Sequence, residues 1–123
     1  MPAKLLIVED DELLFRMYLD AFKNDRRFFV NFVRDGLEAV DKLKAGTVDV
    51  IVTDLCMPRM DGVALLRHLR AEGVKTPVLV VTGFPDTMGP DLRRELGVAE
   101  LLLKPVDLAH LKERILAAVP SAA

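Results

Sequence analysis

Apolar residues along this chain alternate between two rhythms. Short, nearly unbroken runs occur at Leu5–Val8, Phe28–Val33, Val48–Val52, Val78–Val81 and Leu101–Leu103. Between them the spacing changes to three and four. Leu14, Met17, Tyr18, Ala21 and Phe22 share one helical face, as do Leu37, Val40 and Leu43. Val63, Leu66 and Leu69 follow the same rule, and so do Leu108, Leu111, Ile115 and Ala118. The short runs predict strands and the periodic segments predict helices. Gly46, Gly73 and Gly97 stand where helices should stop. Asp11 reads as the N-cap of the first helix and Asp61 as that of the third.

Apolar strands alternating with amphipathic helices imply an α/β fold. Its parallel sheet should be doubly wound, with helices on both faces. Right-handed crossovers restrict the order of its strands. One segment resists the pattern. In "TGFPDTMGPDLRREL" the residues Pro85, Gly89 and Pro90 interrupt what should be a fourth helix. A residue before proline avoids the α region, and proline is tolerated at the first helical position. A loop over Gly83–Gly89 and a short helix from Pro90 are therefore expected.

A length of 123 residues fits one domain, with residues 120–123 as a frayed tail. Hydrophobic residues make up 51% and charged residues 29%, a globular rather than disordered composition. The net charge of −2 gives no footprint for direct nucleic-acid or membrane binding. A single cysteine forbids an internal disulfide. Neither a signal peptide nor a spanning run is evident, so a cytoplasmic location is expected.

The chemistry gathers where strands end. Parallel sheets of this kind bind ligands at the carboxyl ends of their strands. The first strand ends in Glu9-Asp10, the third in Asp54, the fourth in Thr82-Gly83, the fifth in Lys104-Pro105. Strand two ends in Arg34-Asp35 and is expected at the sheet edge, outside the site. Each residue alone has an ordinary reading: first-turn acid, turn residue, solvated lysine. Together they would bring three carboxylates, a hydroxyl and an ammonium to one place. Two carboxylates about 4 Å apart repel by roughly 4 kcal/mol at an effective dielectric of 20. Such a cluster calls for a cation. Oxygen ligands without histidine suggest Mg²⁺, with Mn²⁺ as a second candidate. A carboxylate beside a divalent cation, a lysine and a threonine suits phosphoryl transfer, with Asp54 as nucleophile.

The stretches "LLIVEDDELL", "VTDLCMPRMDG", "VLVVTG" and "LLLKPVD" resemble the four signatures of the response-regulator receiver domain of two-component signalling. The resemblance spans nearly the whole chain, in order. It implies a flavodoxin-like sheet of order 2-1-3-4-5 and Asp54 as phosphoacceptor. It implies Asp10 as direct metal ligand, Glu9 acting through water, and the Cys56 backbone carbonyl as a further ligand. Thr82 and Lys104 would contact the phosphoryl oxygens, and a cis Lys104–Pro105 bond would aim the lysine inward. A sensor histidine kinase or phosphotransfer protein would be the donor, and an unknown downstream protein or output domain the receiver of the signal.

The resemblance breaks at one position. Receivers usually carry an aromatic three residues before the site lysine, and here that residue is Leu101. The signal is expected to leave by another route, through Phe84. Cys56 and Phe84 flank the site and are expected to tune dephosphorylation by controlling water access. Met57 is expected to pack, and His68 and His110 to be exposed. Competing readings fare worse. A phosphorylation-independent, receiver-like adaptor would not need the full set of site residues. An aspartyl phosphatase would want an acid where Cys56 stands. A flavin carrier would not place four acids, Glu9–Glu12, after strand one.

Overall fold

The computed structural model describes residues 2–120. Its strands are β1 (Ala3–Val8), β2 (Phe28–Val33), β3 (Val50–Thr53), β4 (Val78–Thr82) and β5 (Val98–Leu103). Its helices are α1 (Glu12–Phe22), α2 (Gly36–Ala45), α3 (Gly62–Ala71), α4 (Pro90–Leu96) and α5 (Leu108–Ala118). The five strands are parallel, in the order β2-β1-β3-β4-β5.

Strand pleating explains why the apolar runs are unbroken. Successive side chains point to opposite faces, so a strand covered on both faces needs apolar residues at every position. Leu6, Val8, Ile51, Val78 and Val80 join the core that includes Leu65, Leu66 and Leu69 of α3. Leu5, Ile7, Val50, Val52, Leu79 and Val81 join the opposite core, with Tyr18, Phe22, Leu111 and Ile115 of α1 and α5. Each fully buried aliphatic side chain contributes about 1.5–3 kcal/mol relative to exposure. The two layers therefore hold the sheet from both sides.

Most helix boundaries follow the capping chemistry. Asp11 caps α1 through the Leu14 amide at 2.9 Å, and Asp61 caps α3 through the Ala64 amide at 2.8 Å. Gly97 ends α4 in left-handed conformation, φ 67°. Pro90 opens α4, as the Gly89-Pro90 step requires. The expected loop before it carries one 3₁₀ turn, Pro85–Thr87, and no helix runs on from Asp86.

The differences from expectation are local. Strand β3 starts at Val50 rather than Val48, because Asp49 bonds the Lys4 backbone instead. Its carboxylate accepts the Lys4 amide at 2.9 Å, and its own amide donates to the Lys4 carbonyl at 2.8 Å. Strand β5 starts at Val98 rather than Leu101, since backbone pairing with β4 tolerates Glu100 in the ladder. Met17 and Leu37 are exposed at 42% and 41%, at the margins of their helical stripes. His68 is half-buried rather than exposed; His110 is exposed. Of the expected tail, Pro120 is exposed and residues 121–123 lie outside the described residues.

Candidate phosphoacceptor site

Register brings the site residues together. Val8 pairs with Thr53, so the residues that follow, Glu9 and Asp54, leave the sheet side by side. Thr82 pairs with Leu103, which places Lys104 next to the end of β4. The Lys104 amide donates to the Thr82 carbonyl at 2.9 Å, and the Lys104–Pro105 peptide is cis.

The Lys104 ammonium lies 2.6 Å from Asp54 Oδ2 and 3.4 Å from Glu9 Oε1. Asp54 Oδ1 accepts the amides of Leu55 at 2.6 Å and Cys56 at 3.4 Å. Glu9 Oε2 accepts the Asp11 amide at 3.0 Å. Glu9, Asp10 and Asp54 each offer a carboxylate oxygen, all within 4.8 Å of one another. Glu9 and Asp54 are buried, whereas Asp10 is half-buried and opens the cluster to solvent.

Burial pushes the Glu9 carboxyl above its ordinary range, and the neighbouring Asp54 charge pushes the same way. The Asp11 amide and Lys104 oppose it without cancelling it. Burial alone would pull Lys104 down, but its hydrogen bond to Asp54 and the two nearby carboxylates raise it. Lys104 is therefore a fixed positive charge at neutral pH. The one ammonium reaches Asp54 and Glu9, and no ion pair of the described residues reaches Asp10, so acids outnumber cations in the cluster. An all-oxygen donor set of this kind fits a hard divalent cation such as Mg²⁺ or Mn²⁺.

Thr82 is buried, and its Oγ1 accepts the Phe84 amide at 2.9 Å. The Phe84 ring is 64% exposed. Leu101 is half-buried on β5 and packs on the core beneath α3 and α4. Cys56 is exposed. Met57 packs against the same core as Leu101, with its sulfur 3.8 Å from the Thr53 hydroxyl.

Two features were not legible in the sequence. Tyr18 is buried with its hydroxyl unpartnered among the described residues. Burial, and then the charges of Glu9 and Asp54, push its phenol above its ordinary range. Only the helical period of Tyr18 was readable, and that signals packing. Asp35 lies outside the carboxylate cluster, as its edge strand predicts. Yet it binds Arg59, a residue of the loop that follows Asp54. No local pattern joins positions 24 residues apart.

Among the described residues no helix is long and apolar enough to cross a membrane. Residues 5–116 match the response regulator receiver domain family. The chain is 36% identical over 118 residues to the Regulator of RpoS of Escherichia coli (strain K12), an alignment covering 95% of this chain and 35% of that protein. It is 32% identical over 115 residues to Response regulator MprA of Mycobacterium sp. (strain KMS), covering 94% and 50%. The chain thus spans between about a third and a half of the length of these relatives. Among solved structures, the Francisella response regulator 1452 receiver domain superposes with a TM-score of 0.85 at 28% identity, covering 94% of this chain and 95% of that one. The chemotaxis response regulator CheY4 of Vibrio cholerae gives 0.84 at 25%, covering 97% and 100%. With the strand order, the strand-end cluster and these matches in agreement, the chain belongs to the response regulator receiver domain family of two-component systems.

Proposed function

We propose that this chain is a phosphoacceptor signalling module. Asp54 takes a phosphoryl group from a phosphohistidine of a sensor histidine kinase or phosphotransfer protein, and the resulting change of shape controls a downstream protein or output domain. The observation that carries this reading is the Lys104 ammonium at 2.6 Å from Asp54, inside a cluster of three acids.

The step balances simply. An Asp54 carboxylate oxygen attacks phosphorus, a new O–P bond forms, and the P–N bond to imidazole breaks with its electron pair returning to the ring. A carboxylate oxygen attacks without shedding a proton, so the step needs no separate base. The Leu55 and Cys56 amides hold Oδ1, which fixes the direction of Oδ2. Lys104 meets the charge on the phosphoryl oxygens. Asp10, Asp54 and the Cys56 carbonyl would hold Mg²⁺, with Glu9 acting through water, and the ion would neutralise phosphoryl charge when bound. Mn²⁺ suits the same ligands. The chain acts on no other substrate; it promotes only its own phosphorylation and dephosphorylation. A receiver-like adaptor that works without phosphorylation remains the second reading, and the retention of Glu9, Asp10, Asp54, Thr82 and Lys104 speaks against it.

A labelled phosphohistidine protein, mixed with this chain and Mg²⁺, should lose its label to wild type and keep it with Asp54→Ala. Equal transfer to both would refute the reading.

The Thr82–Phe84 hydrogen bond supports Phe84 as the exit for the signal. Rotation of Thr82 toward a phosphoryl oxygen draws Oγ1 away from the Phe84 amide. Leu101 has no ring to follow the threonine. The Phe84 amide resonance should therefore shift when beryllofluoride and Mg²⁺ are added, and Thr82→Ala should remove most of that shift. A Phe84 that does not respond rules out this route.

A further inference from the structure

The loop between β3 and α3 is tied to the start of α2 by one buried carboxylate. Asp35 is 5% exposed. Its Oδ1 caps α2 by accepting the Glu38 amide at 2.9 Å. Its Oδ2 accepts Arg59 Nε at 2.7 Å, with Nη2 of the same guanidinium beside it. Burial pushes the Asp35 carboxyl up, but the Glu38 amide and Arg59 pull it further down. Its charge is thus held in place.

Arg59 occupies left-handed backbone, φ 62°. Few non-glycine residues take that conformation, and its cost is offset by the contacts around it. The ion pair is one such contact. A second lies next to it: the Gly36 amide donates to the Met60 carbonyl at 3.2 Å. A Cβ at Gly36 would meet Met60 O at 2.6 Å, so the two segments touch backbone to backbone. The far end of the loop is also pinned, by the Gly62 amide on the Leu55 carbonyl at 2.9 Å. Cys56, Met57 and Pro58 lie between these anchors.

We propose that the Asp35–Arg59 pair is a latch that holds the β3–α3 loop, and with it the Cys56 backbone, in the conformation that binds the divalent cation. This rests on the reading of Cys56 as a metal ligand. Asp35 and Arg59 touch neither phosphoryl group nor metal; they act as positioning residues. Partners that orient metal ligands are costly to remove, roughly tenfold or more in affinity.

The test measures Mn²⁺ affinity by the electron paramagnetic resonance of free Mn²⁺, with melting temperature as a control. Two variants separate latch from fold. Asp35→Asn keeps a side chain suited to the N-cap and loses the ion pair. Arg59→Asn keeps a residue tolerant of left-handed backbone. Each should weaken Mn²⁺ binding roughly tenfold. The double variant should be no weaker than the weaker single one, because both break the same contact. With a small-molecule phosphodonor, the Mg²⁺ concentration for half-maximal phosphorylation should rise by the same factor, while the rate at saturating Mg²⁺ stays at the wild-type level. A purely structural role would lower the melting temperature and leave the metal dependence unmoved, which overturns the latch. Additive losses in the double variant also overturn it. Wild type that binds no Mn²⁺ removes both the metal reading and the latch; wild type that binds, with variants unchanged, removes only the latch.

Discussion

Asp54→Asn should fold normally and accept no phosphoryl group. Asparagine has nearly the shape of aspartate, and its carbonyl oxygen can still accept the Leu55 and Cys56 amides that hold Oδ1. What it lacks is the anionic oxygen that faces Lys104 at 2.6 Å. An amide oxygen does not displace imidazole from phosphorus at a useful rate. The expected fall in labelling is on the order of a thousandfold or more. Stability should respond differently. The variant loses the Lys104 ion pair but also relieves repulsion among Glu9, Asp10 and Asp54. These oppose one another at similar magnitude, so the melting temperature without metal should stay close to wild type. The gain on adding Mg²⁺ should shrink, since ligand stabilisation depends on affinity for the folded state. Thermal melts with and without Mg²⁺ check both statements. A variant that labels normally, or one that gains as much from Mg²⁺ as wild type, contradicts them.

Gly62→Ala should destabilise the protein by about 3 kcal/mol, at the upper end of the cost of overpacking. Helix propensity alone predicts the opposite sign, because alanine is better than glycine in a helix by about 1 kcal/mol. The geometry decides. A Cβ at Gly62 would stand 2.3 Å from the Asp54 carbonyl oxygen and 2.8 Å from Leu55 Cα. Both are backbone atoms, so no rotamer change relieves the clash. Either α3 or the end of β3 must move, and the end of β3 carries Asp54. Phosphorylation should therefore fall together with stability. Gly89→Ala supplies the control: nothing lies within 4 Å of the added carbon, and the backbone there is extended. That variant should stay within about 0.5 kcal/mol of wild type. Urea denaturation of the two variants gives the comparison. A neutral or stabilised Gly62→Ala would mean that α3 and the end of β3 can separate without cost, against the close backbone approach at Asp54 and Leu55.

Much of this was legible in the sequence for a physical reason. A strand covered on both faces has apolar side chains throughout, so β1, β3 and β4 advertise themselves. Asp11, Asp61 and Gly97 mark helix ends because orphan amides and carbonyls need partners. The residues at strand ends could be read as a group because a parallel sheet delivers them to one edge. The structure brings Glu9, Asp10, Asp54 and Lys104 together there.

Other features were not legible, and each failure has a cause. Strand β5 starts three residues earlier than its apolar run because backbone pairing is indifferent to Glu100, which Arg114 pairs from α5. Met88 sits in a loop of turn residues and yet is buried at 1% exposure, with no period to announce it. The Asp35–Arg59 pair joins the end of one strand to the loop after another. Such contacts depend on the tertiary arrangement and leave no local trace. The Thr82–Phe84 hydrogen bond is local, but which way a threonine hydroxyl turns is set by the loop around it.

The most direct measurement of the central claim is intact mass after incubation with Mg²⁺ and a small-molecule phosphodonor such as acetyl phosphate. Wild type should gain the mass of one phosphoryl group, lose the gain when the divalent cation is chelated beforehand, and show no gain as Asp54→Asn. No added mass on wild type, or equal labelling of the variant, would contradict Asp54 as the phosphoacceptor.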